Sequence, residues 1–268
     1  MDFTNAFVAT MMATVVMAAP HGLDHRFSHL HARQNTTVNK LGAAYNDASL
    51  VSAITNAGWA YDWNLDSDGT LPSGVEYCPM LWGQKMYDQW QSSASSYLSS
   101  GSTCLLGFNE PDMTTQANMS PQQAATDYQT YMTPFANQAT LVSPAVTNGV
   151  GDNLGLTWME SWLQACNGAC GATVMAIHYY ANTDTSDFYN FVNNAASLAS
   201  QYGMSSVWIT EFQNTGTSDQ QVSFLQEVIP WLNNNTDVGR YAYFYVADQY
   251  LLSGTSLSAI GEAYTATY

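Results

Sequence analysis

Two acidic residues in this chain stand where chemistry accounts for them better than solubility does. The stretch LLGFNEPDM, residues 105–113, closes an apolar run on Asn109, Glu110 and Pro111, and VWITEF, residues 207–212, closes another on Glu211. Only 10% of the 268 residues are charged, so acids at the ends of apolar runs need a reason. Two carboxylates facing one cleft can cleave a glycosidic bond: one protonates the leaving oxygen, the other attacks the sugar or directs water. The chain has six glutamates. Glu160, Glu227 and Glu262 fall in helical patterns, and Glu76 lies near the start of an apolar run. Only Glu110 and Glu211 sit at run ends.

The elements that would position them alternate along the chain. Eight short β-favouring runs occupy 41–46, 59–63, 75–82, 105–109, 140–146, 174–180, 207–212 and 241–246, with helical periodicity between most of them. Asp47 can cap a helix carrying Leu50, Val51 and Ile54. Met86, Trp90, Ala94 and Tyr97 make an apolar stripe. Ser120 and Gln123 form a capping box with Pro121 at the first helical position, and Ser218 with Gln221 repeats that signature. Gly203 stands where a cap belongs after a helix over 188–201. The segment NLDSDGTLPSG, 64–74, has no room for a full helix. Asn64, Asp66, Asp68 and Gly69 match the start of a calcium loop, but its twelfth position is Val75 rather than Glu, so an ordinary polar turn is expected. Eight strands with helical crossovers predict an α/β fold: a single (β/α)8 barrel of the TIM type, lean, with an irregular second βα unit. The fourth and seventh strands of such a barrel face each other, and its functional side chains stand at strand C-terminal ends.

Residues 1–19 read as a secretory signal peptide, since the apolar run 6–19 is too short to span a bilayer and ends in small residues, although Asp2 and the lack of Lys or Arg before it are atypical. Residues 20–39 read as a pro-segment or disordered linker, in which His21, His25, His29 and His31 are solvated rather than metal-binding. The catalytic domain is expected over 40–268. Four cysteines suit an oxidising compartment and allow three pairings; Cys166 with Cys170 would leave Cys78 for Cys104. Asn35, Asn118 and Asn234 begin glycosylation sequons. With five cations against 21 acids, the surface cannot engage nucleic acid or an anionic membrane. A neutral, hydroxyl-rich partner fits better, and eight Trp and seventeen Tyr supply faces for sugars. A monomer secreted to the cell exterior or wall, with no cofactor and no metal, is the expectation.

Trp82, Asn148 and Tyr180, each at a strand end, are the candidate substrate-binding residues, ahead of Trp59 and Trp63. Trp158 and Trp162, at helical spacing, read as packing. His178 reads as a hydrogen-bonded strand residue, and either it or Tyr180 can reach Glu211. A general acid must stay protonated, which apolar walls favour; Phe108 and Trp82 could form such a wall.

The series GVEYCPMLWG, LLGFNEPD, QANMSPQQAA, LVSPAVTNG, AIHYY and VWITEF resembles fungal members of glycoside hydrolase family 128, of the clan A barrels. The resemblance runs from about residue 43 to 245. It implies a retaining endo-β-1,3-glucanase acting on β-glucan, with Glu110 as general acid/base, Glu211 as nucleophile and Asn109 bonding the sugar 2-hydroxyl. The chain departs from the family at Cys78 and Cys104, where ordinary strand residues are usual, and at His178-Tyr179-Tyr180, where the middle residue is usually Trp. Two other readings share the aromatic cleft: a non-catalytic glucan-binding wall protein, and a glycosidase of β-1,4-linked polysaccharide.

Overall fold

The computed structural model describes residues 39–182 and 184–267. The expected signal peptide, the four linker histidines and the Asn35 sequon lie outside the described residues. Among the described residues no helix is long and apolar enough to cross a membrane.

The architecture is α/β with parallel strands in two sheets. β1 (Gly42–Ala44), β2 (Trp59–Tyr61) and β3 (Glu76–Tyr77) pair in that order, and β4 (Cys104–Leu105), β5 (Thr140–Val146), β6 (Val174–Ala181), β7 (Ser206–Asn214) and β8 (Val238–Tyr243) pair in theirs. All neighbours within each of these sheets are parallel. Isolated bridges join the sheets at both edges: Leu41 with Tyr241 and Tyr45 with Val246 on one side, Met80 with Leu106 on the other. All eight expected runs contribute strand, but β3 and β4 are only two residues long. Pro79, which has no N–H to donate, interrupts the run expected over 75–82, and the chain continues there through a single bridge.

Helices cover the strands: α1 (Tyr87–Ser99), α2 (Pro121–Tyr131), α3 (Gly155–Cys166), α4 (Thr185–Gln201), α5 (Ser218–Asn234) and α6 (Ala259–Thr265). Ser120 caps α2 as expected, accepting from the Gln123 N–H with Pro121 in the first turn. The α5 cap falls one residue earlier than expected, on Thr217, which forms a reciprocal box with Gln220. Two adjacent hydroxyls competed for that role. The element after Asp47 is a six-residue 3-10 helix rather than an α-helix, because few residues separate β1 from β2. Gly203, at φ +75, follows α4. The second βα unit has no helix, as expected, and Asp68 and Gly69 turn it with positive φ. A small antiparallel hairpin, β9 (Leu252–Ser253) with β10 (Ser256–Leu257), was not foreseen, whereas α6 holds Glu262 in a helix as its pattern predicts.

The core forms two layers. Inside the strands lie Trp59, Tyr61, Met80, Leu106, Val174 and Trp208; between strands and helices lies a larger cluster that includes Trp90, Phe108, Tyr128, Trp158 and Trp162. Trp158 and Trp162 are therefore packing residues, as their spacing predicts. Cys78 pairs with Cys104 and Cys166 with Cys170, each with Cα atoms 5.3 Å apart. Asn118 and Asn234 are exposed.

Candidate active site

Glu110 follows the last bridge of the fourth strand run, Asn109 with Ala145. Its φ is +42, a left-handed conformation that costs a non-glycine residue about 1–3 kcal/mol and is found where a site demands it. The turn is held because its N–H donates to the Ala145 carbonyl at 2.8 Å and its carbonyl accepts from Met113 N–H at 3.0 Å. Gly107 allows the approach, since a Cβ there would lie 2.8 Å from the backbone of Ser143 and Pro144.

Glu211 depends on a β-bulge. Ile177 on β6 pairs with Ile209 on β7, and the next β6 residue, His178, pairs with Glu211. Thr210 is the extra residue. Strict alternation would send Thr210 and Glu211 to opposite faces. Instead Ile209 and Phe212 both pack outward in the helix-facing layer, and the two residues between them turn inward, the re-aiming that bulges provide beside active sites.

The two glutamates meet. One oxygen of each, together with one nitrogen of His178, lie within 4.8 Å of one another. Glu211 Oε1 accepts from Trp63 Nε1–H at 2.7 Å and Oε2 from the Tyr180 hydroxyl. His178 Nδ1 lies 2.8 Å from Glu110 Oε1, and its Nε2 lies 2.9 Å from Thr210 Oγ1 and 3.5 Å from Glu211 Oε1. Burial pulls the His178 pKa down, but attraction to Glu211 and Glu110 outweighs it and the net shift is upward. Burial, reinforced by the Glu211 charge, raises the pKa of Tyr180, so it remains a donor. Trp63 is itself at φ +58. Its neighbour Asp62 pins that turn, accepting from Tyr77 OH at 2.6 Å and from Asn64 N–H at 3.2 Å. Burial pushes the Asp62 carboxyl up to about 6.

Glu110, His178 and Glu211 are also a possible set of metal ligands. Both His178 nitrogens already face protein partners and two donors point into Glu211, so the set is arranged for hydrogen bonding. Glu76 and the Cys78–Cys104 pair form a second such group, with both sulfurs committed to the disulfide.

A cleft of about 750 Å³ opens over the glutamates, lined among others by Trp63, Trp82, Asn109, Asn148, Tyr180 and Tyr245. The expected residues Asn109, Glu110, Trp82, Asn148, Tyr180 and Glu211 are thus all brought to one hollow. Asn109 is 4% exposed, and its Oδ1 has no protein partner while its amide reaches Gln116. Asn148 spends its amide on the backbone of Tyr180, donating at 3.2 Å and accepting at 3.1 Å. Lys85 Nζ stands 3.7 Å from the Trp82 ring centroid. Two expectations are corrected. Phe108 is no wall of the cleft: it packs outward against Tyr87 and Tyr128. Trp59 is buried in the inner layer, bonded to the Lys40 carbonyl, and does not line the cleft. The sequence reading did not single out Phe244, Tyr245 and Tyr250 from the segment after β8, nor Met113 and Gln116 from the turn after Glu110; all five line the cleft. In the eighth run Tyr241, Tyr243 and Tyr245 alternate with Ala242 and Phe244, a pattern that does not show which face looks inward.

Asp112 has a different task from Glu110, two residues away. It accepts from the Thr147 hydroxyl at 2.6 Å, from Thr147 N–H and from Gly155 N–H at 2.9 Å. It ties the Glu110 turn to the β5–α3 loop.

The family described as glycosyl hydrolase catalytic core matches residues 40–264. Alkali-sensitive linkage protein 1 of Schizosaccharomyces pombe is 30% identical over 227 residues, 77% of this chain; the chain spans 39% of that protein's length. A curdlan-specific exo-β-1,3-glucanase of glycoside hydrolase family 128, subgroup III, from Blastomyces gilchristii, solved with glucose, superposes with a TM-score of 0.83 at 42% identity, covering 87% of this chain and 100% of that one. A subgroup II endo-β-1,3-glucanase from Sorangium cellulosum gives 0.70 at 28%, covering 84% and 97%. A subgroup I endo-β-1,3-glucanase from Amycolatopsis mediterranei, solved with laminaritriose, gives 0.71 at 25%, covering 85% and 98%. The chain belongs to the glycosyl hydrolase catalytic core family and, within it, to glycoside hydrolase family 128.

Proposed function

We propose that this chain is a retaining β-1,3-glucanase cleaving internal bonds of the polysaccharide, with Glu211 as nucleophile and Glu110 as acid/base on a closed eight-stranded barrel. The observation that carries the reading is the approach of the two carboxylates, with oxygens within 4.8 Å across one cleft. Retaining enzymes hold their carboxyl groups about 5–5.5 Å apart, and inverting ones leave room for a water. Glu211 attacks the anomeric carbon while Glu110 passes its proton to the leaving oxygen. Once the nucleophile is an ester its charge is gone, and Glu110 takes a proton from the water that releases the sugar. Trp63 and Tyr180 orient Glu211, and the unpartnered Oδ1 of Asn109 suits a sugar hydroxyl. Trp82, Asn148 and Tyr180 border the substrate. The chain acts as a secreted monomer, with residues 1–19 as signal peptide, 20–39 as linker and 40–268 as catalytic domain.

A second reading, release from chain ends, is favoured by the 42% identical neighbour, an exo-acting enzyme. One experiment separates these. Purified protein is incubated with linear β-1,3-glucan, with β-1,4-glucan alongside, and reducing ends, product lengths and the first-formed anomer are followed. Internal cleavage gives a ladder of oligosaccharides in the β-anomer; terminal cleavage gives one short product. No release from β-1,3-glucan, or equal release by Glu211→Gln, rejects the assignment.

A further inference from the structure

The bulge in β7 adds a residue, and that residue has a precise set of partners. Thr210 is buried; its carbonyl accepts from Tyr61 OH at 2.8 Å, and its hydroxyl lies 2.9 Å from His178 Nε2. The same Nε2 has a second acceptor in view, Glu211 Oε1 at 3.5 Å. The first distance is a good hydrogen bond and the second is not. The other nitrogen of the ring is fixed on Glu110, so the choice at Nε2 is made locally.

We propose that Thr210 is a positioning residue for the glycosidase reaction: it holds the Nε2 proton of His178 on a neutral oxygen and keeps it off the nucleophile. The proposal rests on the functional reading above. Charge-assisted hydrogen bonds are roughly twice as strong as neutral ones. An imidazolium N–H turned onto Glu211 would blunt its attack and would lose its counter-charge when the carboxylate becomes an ester. With the proton on Thr210, the oxygens of Glu211 are oriented by Trp63 and Tyr180, which donate without carrying charge. The bulge places this acceptor. Without the extra residue only one of positions 210 and 211 could face inward.

Two readouts test this on the full chain. The first is the titration of His178, followed by 15N NMR of histidine-labelled protein and assigned by the signal lost in His178→Gln. The ring faces Glu110 and Glu211, with Asp112 contributing at longer range and Tyr61 and Tyr180 nearby. In Thr210→Val, which keeps shape and removes the acceptor, the midpoint rises above wild type as Nε2–H turns to the carboxylate. The rise disappears when Thr210→Val is compared with its parent in a Glu211→Gln background. The second readout is turnover of linear β-1,3-glucan. Thr210→Val loses about tenfold in kcat with KM little changed, and Thr210→Ser, which restores the hydroxyl, recovers it. An unmoved midpoint in Thr210→Val, a rise that persists without Glu211, or Thr210→Ser as slow as Thr210→Val would each overturn the proposal. If the wild type does not cleave β-1,3-glucan at all, the functional reading fails, and the His178 midpoints still decide where the Nε2 proton sits.

Discussion

The two ends of the parallel strands both bury charge, and they treat it in opposite ways. At the N-terminal end Arg240 pairs with Glu76 and lies over the rings of Trp208 and Trp59, at 4.5 and 5.4 Å, beside the Cys78–Cys104 disulfide. Burial alone would raise the Glu76 pKa, but Arg240 and the Thr103 hydrogen bonds outweigh it and hold it below the usual carboxylate range. At the C-terminal end Glu110 and Glu211 are held by His178, Trp63 and Tyr180. A permanent cation freezes a carboxylate in its ionised form, which suits a structural clamp between the two sheets. Neutral donors and one titratable ring hold the two carboxylates without a permanent counter-charge.

The largest expected effect breaks the contrast at the mouth. Glu211→Gln lowers β-1,3-glucan hydrolysis by about 10⁴-fold or more and Glu110→Gln by about 10²–10⁴-fold, both with a native circular-dichroism spectrum. Breaking it at the other end leaves chemistry intact. Arg240→Met strands the Glu76 charge and costs about 3 kcal/mol, read as a lower midpoint in urea, while the folded protein keeps its kcat. Arg240→Met with Glu76→Gln regains most of the loss; if the double variant is no better than the single, the ion pair is not what stabilises this end. Tyr180→Phe removes one neutral donor and lowers kcat by roughly 10–100-fold with stability retained.

The smallest effect concerns Asp62. Its folded pKa of about 6 exceeds the ordinary value, so the folded state binds the proton more tightly. Its contribution is a penalty that is absent below about pH 4 and grows as pH rises through 6. Asp62→Asn therefore raises the thermal midpoint at pH 7, by about 2–4 °C for a gain of about 1 kcal/mol, and leaves it unchanged at pH 4. An equal gain at both pH values would show that the carboxylate charge is not the cause.

Glu110 and Glu211 were legible because a chain so poor in cations cannot spend strand-end acids on salt bridges. Trp82, Asn148 and Tyr180 were legible because strand ends converge. What was lost was lost where the backbone leaves its period. Phe108 has the same parity as Glu110, yet it faces outward, because the left-handed turn at Glu110 breaks the alternation that would have put both on one side. Thr210 was invisible for the same reason, since counting by twos cannot find an inserted residue. His178 was read as a bonded strand residue, which it is; its bridge between the two acids needed the bulge to bring Glu211 level with it. Trp63 ranked low because its position depends on a loop turned by positive φ rather than on a strand.

The clasp made by Asp112 has one more consequence. Because a single side chain grips both Thr147 and Gly155, the loop between them is pinned at its two feet and free at its crest, where Val150 is 95% exposed. Grafted or lengthened segments can be carried at that crest without disturbing the aim of the acid, whereas a change at either foot moves it. The rim of the cleft, which Thr147, Asn148 and Gly149 line, is therefore open to redesign at one tip, on a base line that the molecule has already riveted.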